Sequence, residues 1–491
     1  MNSVQRSILL SAADRYGNLV LFFTATAVLS RLLSPAEFGV YAVVNAIALV
    51  IAASFQEFGG GSYLIQKRDL SAEDVRSAFT ITFIISGAVS VLLFVFADRL
   101  SLLFAQDSLK EAIEVSALNF LLLPISGTYS ALLRRDMKFG TLAICNFVSG
   151  LVVALVSIGL AVAGLSYMAP VWGGLAGNVA LTLALMVGYR DPGALRPSLL
   201  AYRDIVSFGL YSSGVSVINI FYNLAPQLFL ARILDFASVG LYSRATNLTQ
   251  VFDRLVTQVL NPVIMPAIVA KRQAKEDLKA VYLEAIELLS VAQWPFLIFV
   301  AFMARPIIAI WLGPTWLEIV PLVRLLCIAN MALFAACLSY PVLVAVGSVR
   351  DALISSCISL PPSLLVVLGA SFFGVQAVAG AALLTLPFQA AVAIYFIGRH
   401  LRFGLKDLMR ALKRSVIVTA ATAFGVAGCA TLMEAGVLNP LAGLVLATCA
   451  GALCWWLGLL LTGHPLLHQL HQVVADLARI APRLRLSRSA L

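Results

Sequence analysis

Residues 30–41 read SRLLSPAEFGVY, and residues 231–242 read ARILDFASVGLY. An offset of 201 places Arg31 on Arg232, Gly39 on Gly240 and Tyr41 on Tyr242, with aliphatic residues matched between them. The same offset sets Ser11, Asn18 and Thr26 on Ser212, Asn219 and Gln227. After a further shift of five, FADRLSLLF (96–104) lies against FMARPIIAIW (302–311), pairing Arg99 with Arg305. The chain is an internal repeat, and its composition says in what medium the repeat folds.

Of 491 residues, 61% are hydrophobic and 12% charged, whereas soluble domains carry about a quarter charged residues. Runs of about 20 apolar residues, enough to cross the hydrocarbon layer, centre near residues 19, 50, 87, 122, 151, 178, 220, 254, 295, 333, 362, 386, 425 and 451. The pattern predicts an all-α polytopic membrane protein of about fourteen transmembrane helices. The first segment, with Arg6 ahead of LVLFFTATAVLS, has the outline of a signal peptide. Its counterpart in mid-chain identifies it instead as a retained helix.

The repeat pairs spans 1–6 with spans 7–12. Six is even, so both halves enter the membrane in the same direction, giving two six-helix lobes in parallel pseudo-two-fold relation around a central cleft. The expected organisation is an N-lobe over 1–195, a cytoplasmic linker over 196–204 within the Pro-containing stretch YRDPGALRPSLLAYRD (189–204), and a C-lobe over 205–398. A basic loop with spans 13 and 14 follows over 399–462, outside the repeat. The tail over 463–491 spaces Leu466, Leu467, Leu470, Val473, Val474 and Leu477 as an amphipathic helix and ends in Arg483, Arg485 and Arg488.

Charge sets the expected orientation. With a cytoplasmic N-terminus, 25 of the 34 Lys and Arg fall on the cytoplasmic side and 5 opposite, a strong positive-inside bias that puts both termini in the cytoplasm. The net charge of +10 then suits an anionic lipid surface, with no nucleic acid required. The seven cysteines all lie in apolar spans, and the four histidines in cytoplasmic segments, so neither a disulfide framework nor a metal or cofactor motif is expected. Phosphate-binding loops, nucleophile elbows and zinc-protease motifs are absent, which points away from an enzyme. GGLAG (173–177) reads as a close-packing motif. The sequon-like NLT (247–249) falls inside a span and is discarded.

Polar stripes carry the functional reading. Ser212, Ser216, Asn219, Asn223 and Gln227 share about 80° of helix arc, and Arg244, Asn247, Gln250, Arg254, Gln258 and Asn261 about 120°. Arg15 and Asn18 add to them from the first span. Such faces are expected to meet a watery cleft rather than lipid. The candidate substrate-binding residues are therefore Arg254, Arg244, Arg15, Asn18, Ser216, Asn219, Asn223, Gln227, Asn247 and Gln258. Arg254, near mid-membrane, is the expected anion ligand. The alternative is a structural ion pair with Asp253, Glu57 or Asp14. Arg324, near a span end, is not assigned.

SRLLSPAEFGVYA, EFGGGSYLIQKRDLS (57–71) and ALLRRDMKFG (131–140) together resemble the polysaccharide-transporter branch of the multidrug/oligosaccharidyl-lipid/polysaccharide exporter superfamily, the O-antigen and exopolysaccharide repeat-unit flippases. The resemblance covers essentially the whole chain. It implies an inner-membrane flippase for a polyprenyl-diphosphate-linked oligosaccharide, working beside a polysaccharide polymerase and a chain-length regulator; the alternative is an ion-gradient-driven multidrug exporter of the same superfamily, which would use acidic cleft residues where this chain offers only Asp14 and Glu57 near the cytoplasmic end. It also implies a cationic cavity fed by both lobes. Here the positions matching Arg244 and Arg254 are Val43 and Ala53, so the cationic face is concentrated in span 8 with Arg15.

Overall fold

The computed structural model describes residues 3–56, 61–67, 69–257, 268, 277–334, 338–346, 348–467 and 469. Among them every regular element is helical, as required where backbone polar groups must be satisfied inside hydrocarbon. Eleven described helices are long and apolar enough to cross a membrane, and Tyr16–Leu32 adds a shorter apolar stretch. The chain is thus an all-α, multi-pass membrane protein. The expected tail helix lies outside the described residues from 470 onward.

Contacts group the chain into two compact units. The first comprises Met1–Arg244 with Trp311–Trp316 and Val367–Val378. It contains α1 (Ser3–Leu32), α2 (Pro35–Gln56), α3 (Gly61–Gln66), α4 (Ala72–Leu103), α5 (Ser108–Arg135), α6 (Phe139–Val162), α7 (Met168–Gly188), α8 (Tyr202–Ile233) and the start of α9 (Phe236–Thr249).

The repeat reappears in the element boundaries. α1 ends at Leu32 and α2 begins at Pro35, while α8 ends at Ile233 and α9 begins at Phe236, each pair 201 positions apart. The starts are fixed chemically. Ser34 and Glu37 form a reciprocal cap, Glu37 Oε2 accepting from Ser34 N at 2.7 Å and Ser34 Oγ accepting from Glu37 N at 3.3 Å. At the matching position Asp235 Oδ1 accepts from Ser238 N at 2.6 Å. This cap corrects the expected second span, which centres near residue 45 rather than 50. Counting apolar residues passes over the polar SPAE turn where the helix begins.

Between these two helix starts the backbones touch. A methyl group on Gly39 would collide with the Phe236 carbonyl, and one on Gly240 with the Pro35 carbonyl. The α6–α7 pair uses the same device, Gly173 facing Ser157 and Gly177 facing Val153, so GGLAG is a packing motif as read. The stretch 189–204 is pinned down rather than loose. Arg76 Nε donates to Gly193 O at 3.1 Å, Tyr129 Oη to Asp191 O at 3.1 Å, and Ser198 N to Thr80 Oγ1 at 2.9 Å. Nearby, Arg135 Nη1 donates to Leu64 O at 2.8 Å and to Lys67 O at 2.6 Å. The Lys67 amine bonds the Asp74 carboxylate at 2.8 Å and the Tyr63 hydroxyl at 2.9 Å, and these bonds hold it above the usual lysine range.

The second unit comprises Ala245–Ile310, Leu317–Val366 and Ala379–Leu491. It holds α10 (Leu278–Phe302), α12 (Val320–Asn330), α13 (Ser339–Ala345), α16 (Leu405–Glu434) and α17 (Pro440–Thr462), with most of α11 (Ala304–Trp311), α14 (Val349–Ser371) and α15 (Val375–Leu401), whose residues 311, 367–371 and 375–378 belong to the first unit. The last two pack on α10 through Val291, Val418 and Leu459, and through Met303, Val426, Cys429 and Ala447. Small residues let them approach: a methyl on Gly425 would press on Cys454, and one on Gly458 on Val418. Trp455 Nε1 donates to Val291 O at 2.8 Å. A buried polar knot closes the base of this packing. Ser290 Oγ donates to Ser415 Oγ at 2.9 Å, and His464 Nε2 lies 3.5 Å from Ser415 Oγ and 3.7 Å from Glu287 Oε1. His464 is buried; desolvation, and then the Arg414 guanidinium, push its pKa down to about 4.

Candidate functional site

Arg254 stands on a π-helical turn, Asp253–Thr257, that follows α9. A π-turn holds one residue more than an α-turn and recurs at functional sites. Here it presents a half-buried guanidinium whose Nη2 donates to Asn247 Oδ1 at 2.8 Å, seven residues back along the chain. The expected stripe therefore brings Arg254 and Asn247 together in the second unit. A neutral amide oxygen steers the planar guanidinium fork without cancelling its charge.

Arg244, on the preceding part of the same helix, faces a different surrounding. It is 3% exposed. Its guanidinium carbon lies 3.6 Å from the centre of the Phe38 ring and 5.4 Å from that of Trp316, a cation–π box. Its Nε and Nη2 have no hydrogen-bond partner among the described residues. The box is itself held, since Trp316 Nε1 donates to Ser30 O at 2.7 Å and Phe38 meets the Trp316 ring edge to face at 6.1 Å. In this arrangement Arg244 is an aromatic-stacked cation closed off from solvent.

Of the other candidates, Asn18 is half-buried beside Gly150, where a methyl would strike its side-chain oxygen. Asn223 is exposed and Gln227 half-buried on α8. The side chains of Arg15, Ser216 and Asn219, and residue Gln258, lie outside the described residues, as do Glu57 and the side chain of Asp14. Arg324 donates to Ala301 O at 3.3 Å and caps a helix end.

The structure adds a site that single-helix periodicity misses. Within the first unit, α2, α5 and α7 line an open hollow of about 240 Å³ bordered by Tyr41, Asn45, Ser116, Asn119, Ser126 and Asn178 among apolar residues. Asn178 Nδ2 donates to Asn119 Oδ1 at 2.6 Å, and Asn119 Nδ2 donates to Ser116 O at 3.2 Å. Tyr41 is close enough to Arg244 for an electrostatic interaction. α5 contributes Ser116, Asn119 and Ser126, but α2 and α7 show no polar stripe. Each contributes one asparagine, so only their neighbourhood makes the set visible.

Comparison with known proteins agrees with this architecture. The chain is 21% identical over 311 residues to the lipopolysaccharide biosynthesis protein WzxC of Escherichia coli K12, covering 62% of either chain, just under two thirds of that relative. It is 24% identical over 356 residues to the succinoglycan biosynthesis transport protein ExoT of Rhizobium meliloti, covering 70% of either chain. The fold matches that of the lipid II flippase MurJ in its inward closed conformation, with a TM-score of 0.76 over 92% of this chain and 98% of that one at 13% identity. Residues 28–321, more than half of the sequence, match the family described as polysaccharide biosynthesis protein, and the chain belongs to that family.

Proposed function

We propose that the protein is a flippase that moves a polyprenyl-diphosphate-linked oligosaccharide from the cytoplasmic to the outer leaflet of the inner membrane by alternating access, for polysaccharide biosynthesis. The observation that carries this reading is Arg254, a guanidinium aimed by Asn247 at 2.8 Å from a π-turn, in a member of a polysaccharide biosynthesis family. Guanidinium donors match phosphate oxygens in geometry and charge, while amides serve hydroxyls. The names of the relatives support it, one being a transport protein of succinoglycan biosynthesis. The positive-inside bias supports cytoplasmic termini. A polymerase and a chain-length regulator are the partners such a step feeds.

Energetics do not require a nucleotide site. A diphosphate carries about two negative charges, and moving them outward across an inside-negative potential yields about 5 kcal/mol per 100 mV. The protein then has to lower the desolvation barrier. The test is translocation of a fluorescent polyprenyl-diphosphate oligosaccharide in vesicles. Arg254→Ala is expected to reduce the rate at least tenfold while remaining folded, and Arg254→Lys to restore part of it. Normal flipping by a well-folded Arg254→Ala protein overturns the anion role. Poor expression that is rescued by also neutralising a neighbouring acid assigns Arg254 to a structural ion pair instead.

A further inference from the structure

The cavity between α2, α5 and α7 has a lining without a single ionisable group other than the Tyr41 phenol. From its chemistry we infer that it is a subsite for one neutral, hydroxyl-rich pyranose ring of the transported glycan, separate from any site for the diphosphate. This rests on the proposed transport of a glycan-bearing lipid and adds to it the place where the sugar is recognised.

Interhelical amide bonds can serve as structural glue inside a membrane protein, and the Asn119–Asn178 bond taken alone fits that role. Asn45 does not. It is exposed, lines the cavity from α2, and has no hydrogen-bond partner among the described residues. Asn178 is exposed as well and uses only a donor in its bond to Asn119, so its carbonyl oxygen stays available. Exposed amide groups of this kind are met by water or by a ligand. Three amides and two serines around one hollow supply both donors and acceptors, the chemistry that the hydroxyls of a sugar complement. The volume of about 240 Å³ is below the range of about 300–1,000 Å³ of drug-sized pockets and suits one ring. The absence of acidic and basic side chains from the lining selects against charged sugars, since a uronate would arrive without a counter-ion.

Gly174 provides the means to test this. It lines the cavity from α7, and a methyl added there meets nothing within 4 Å. A larger side chain there starts into open space rather than against protein, and it replaces a helix-interior glycine by a better helix former.

The experiment uses the full-length protein in nanodiscs free of sugar-headed detergent. Ligand-observed NMR measures binding of maltose, lactose and N,N′-diacetylchitobiose. Vesicle assays measure flipping of a neutral-glycan lipid diphosphate against bare polyprenyl diphosphate. Wild-type protein is expected to bind at least one disaccharide, with binding at least fivefold weaker in Gly174→Leu and in Asn45→Ala at unchanged melting temperature. The same variants are expected to slow the glycan-bearing lipid at least fivefold relative to the bare one. Wild type that binds none of the three sugars, or Gly174→Leu that binds them as well as wild type, overturns the subsite whatever the transport rates. Sugar binding that the variants abolish, in a protein that flips neither lipid, keeps the subsite and overturns the flippase reading.

Discussion

Gly39 and Gly240, which occupy equivalent places in the sequence repeat, lie at one helix crossing where each faces the backbone of the other's segment. The Phe236 carbonyl fills the space a Cβ of Gly39 would need, and the Pro35 carbonyl that of Gly240. The obstacle is backbone on both sides, so no side chain can move out of the way. Gly39→Ala and Gly240→Ala are each expected to destabilise this packed state by at least about 1–3 kcal/mol, the usual cost of overpacking. A fall of several degrees in the melting temperature of the purified protein is the expected reading. Unchanged melting of both variants removes the crossing from this state.

Arg244 is a test of what its aromatic box contributes. With two guanidinium nitrogens lacking hydrogen bonds, the charge adds little beyond its attraction to Phe38 and Trp316, about 0.5–2 kcal/mol. Arg244→Met keeps most of the volume and removes the desolvation cost, so stability is expected to stay within about 1 kcal/mol. Arg244→Ala leaves a hole and is expected to cost about 2–4 kcal/mol. Equal and large losses in both variants establish that the charge itself holds the box.

His464 predicts a pH dependence. Its folded pKa of about 4 lies below the ordinary histidine value of about 6.5, so protons bind the unfolded chain first as pH falls. The stabilising contribution is complete above pH 6.5, declines from there to pH 4, and is flat below. The full effect is on the order of 3 kcal/mol. Melting temperatures from pH 8 to pH 4 check this, and His464→Gln is expected to flatten the slope in that window. A slope that persists in His464→Gln places the titration elsewhere.

Asn247 predicts a positioning effect. Without its amide oxygen the Arg254 guanidinium loses a hydrogen bond to a charged group, worth about 1.5–3 kcal/mol. Asn247→Leu is expected to slow lipid-diphosphate flipping about five- to tenfold, with Asn247→Gln restoring part of the rate. No change in either variant means that Arg254 is held by other contacts.

The fold was legible because two kinds of information survive in one dimension. Apolar runs mark lipid-crossing helices, and the repeated SRLL/ARIL words mark equivalent turns, while the start of the second helix in the polar SPAE turn is invisible to a count of apolar residues. The site was legible only where its members share a helix. Asn247 and Arg254 do, and the structure joins them. Arg244 shares the same stripe yet turns to Phe38 and Trp316, partners far away in sequence that no periodicity links. The asparagines at 45, 119 and 178 stand singly on three helices and acquire meaning only when α2, α5 and α7 become neighbours.

The π-turn at Asp253–Thr257 has a mechanical consequence. A helix with one surplus residue in its hydrogen-bond ladder can hand that surplus to the next turn by exchanging carbonyl acceptors one at a time, without melting. Each residue the defect passes is swung by about 100° around the axis. Arg254, lying within it, is thereby mounted on a register slip: a cation able to change the direction it faces by a local exchange of hydrogen bonds.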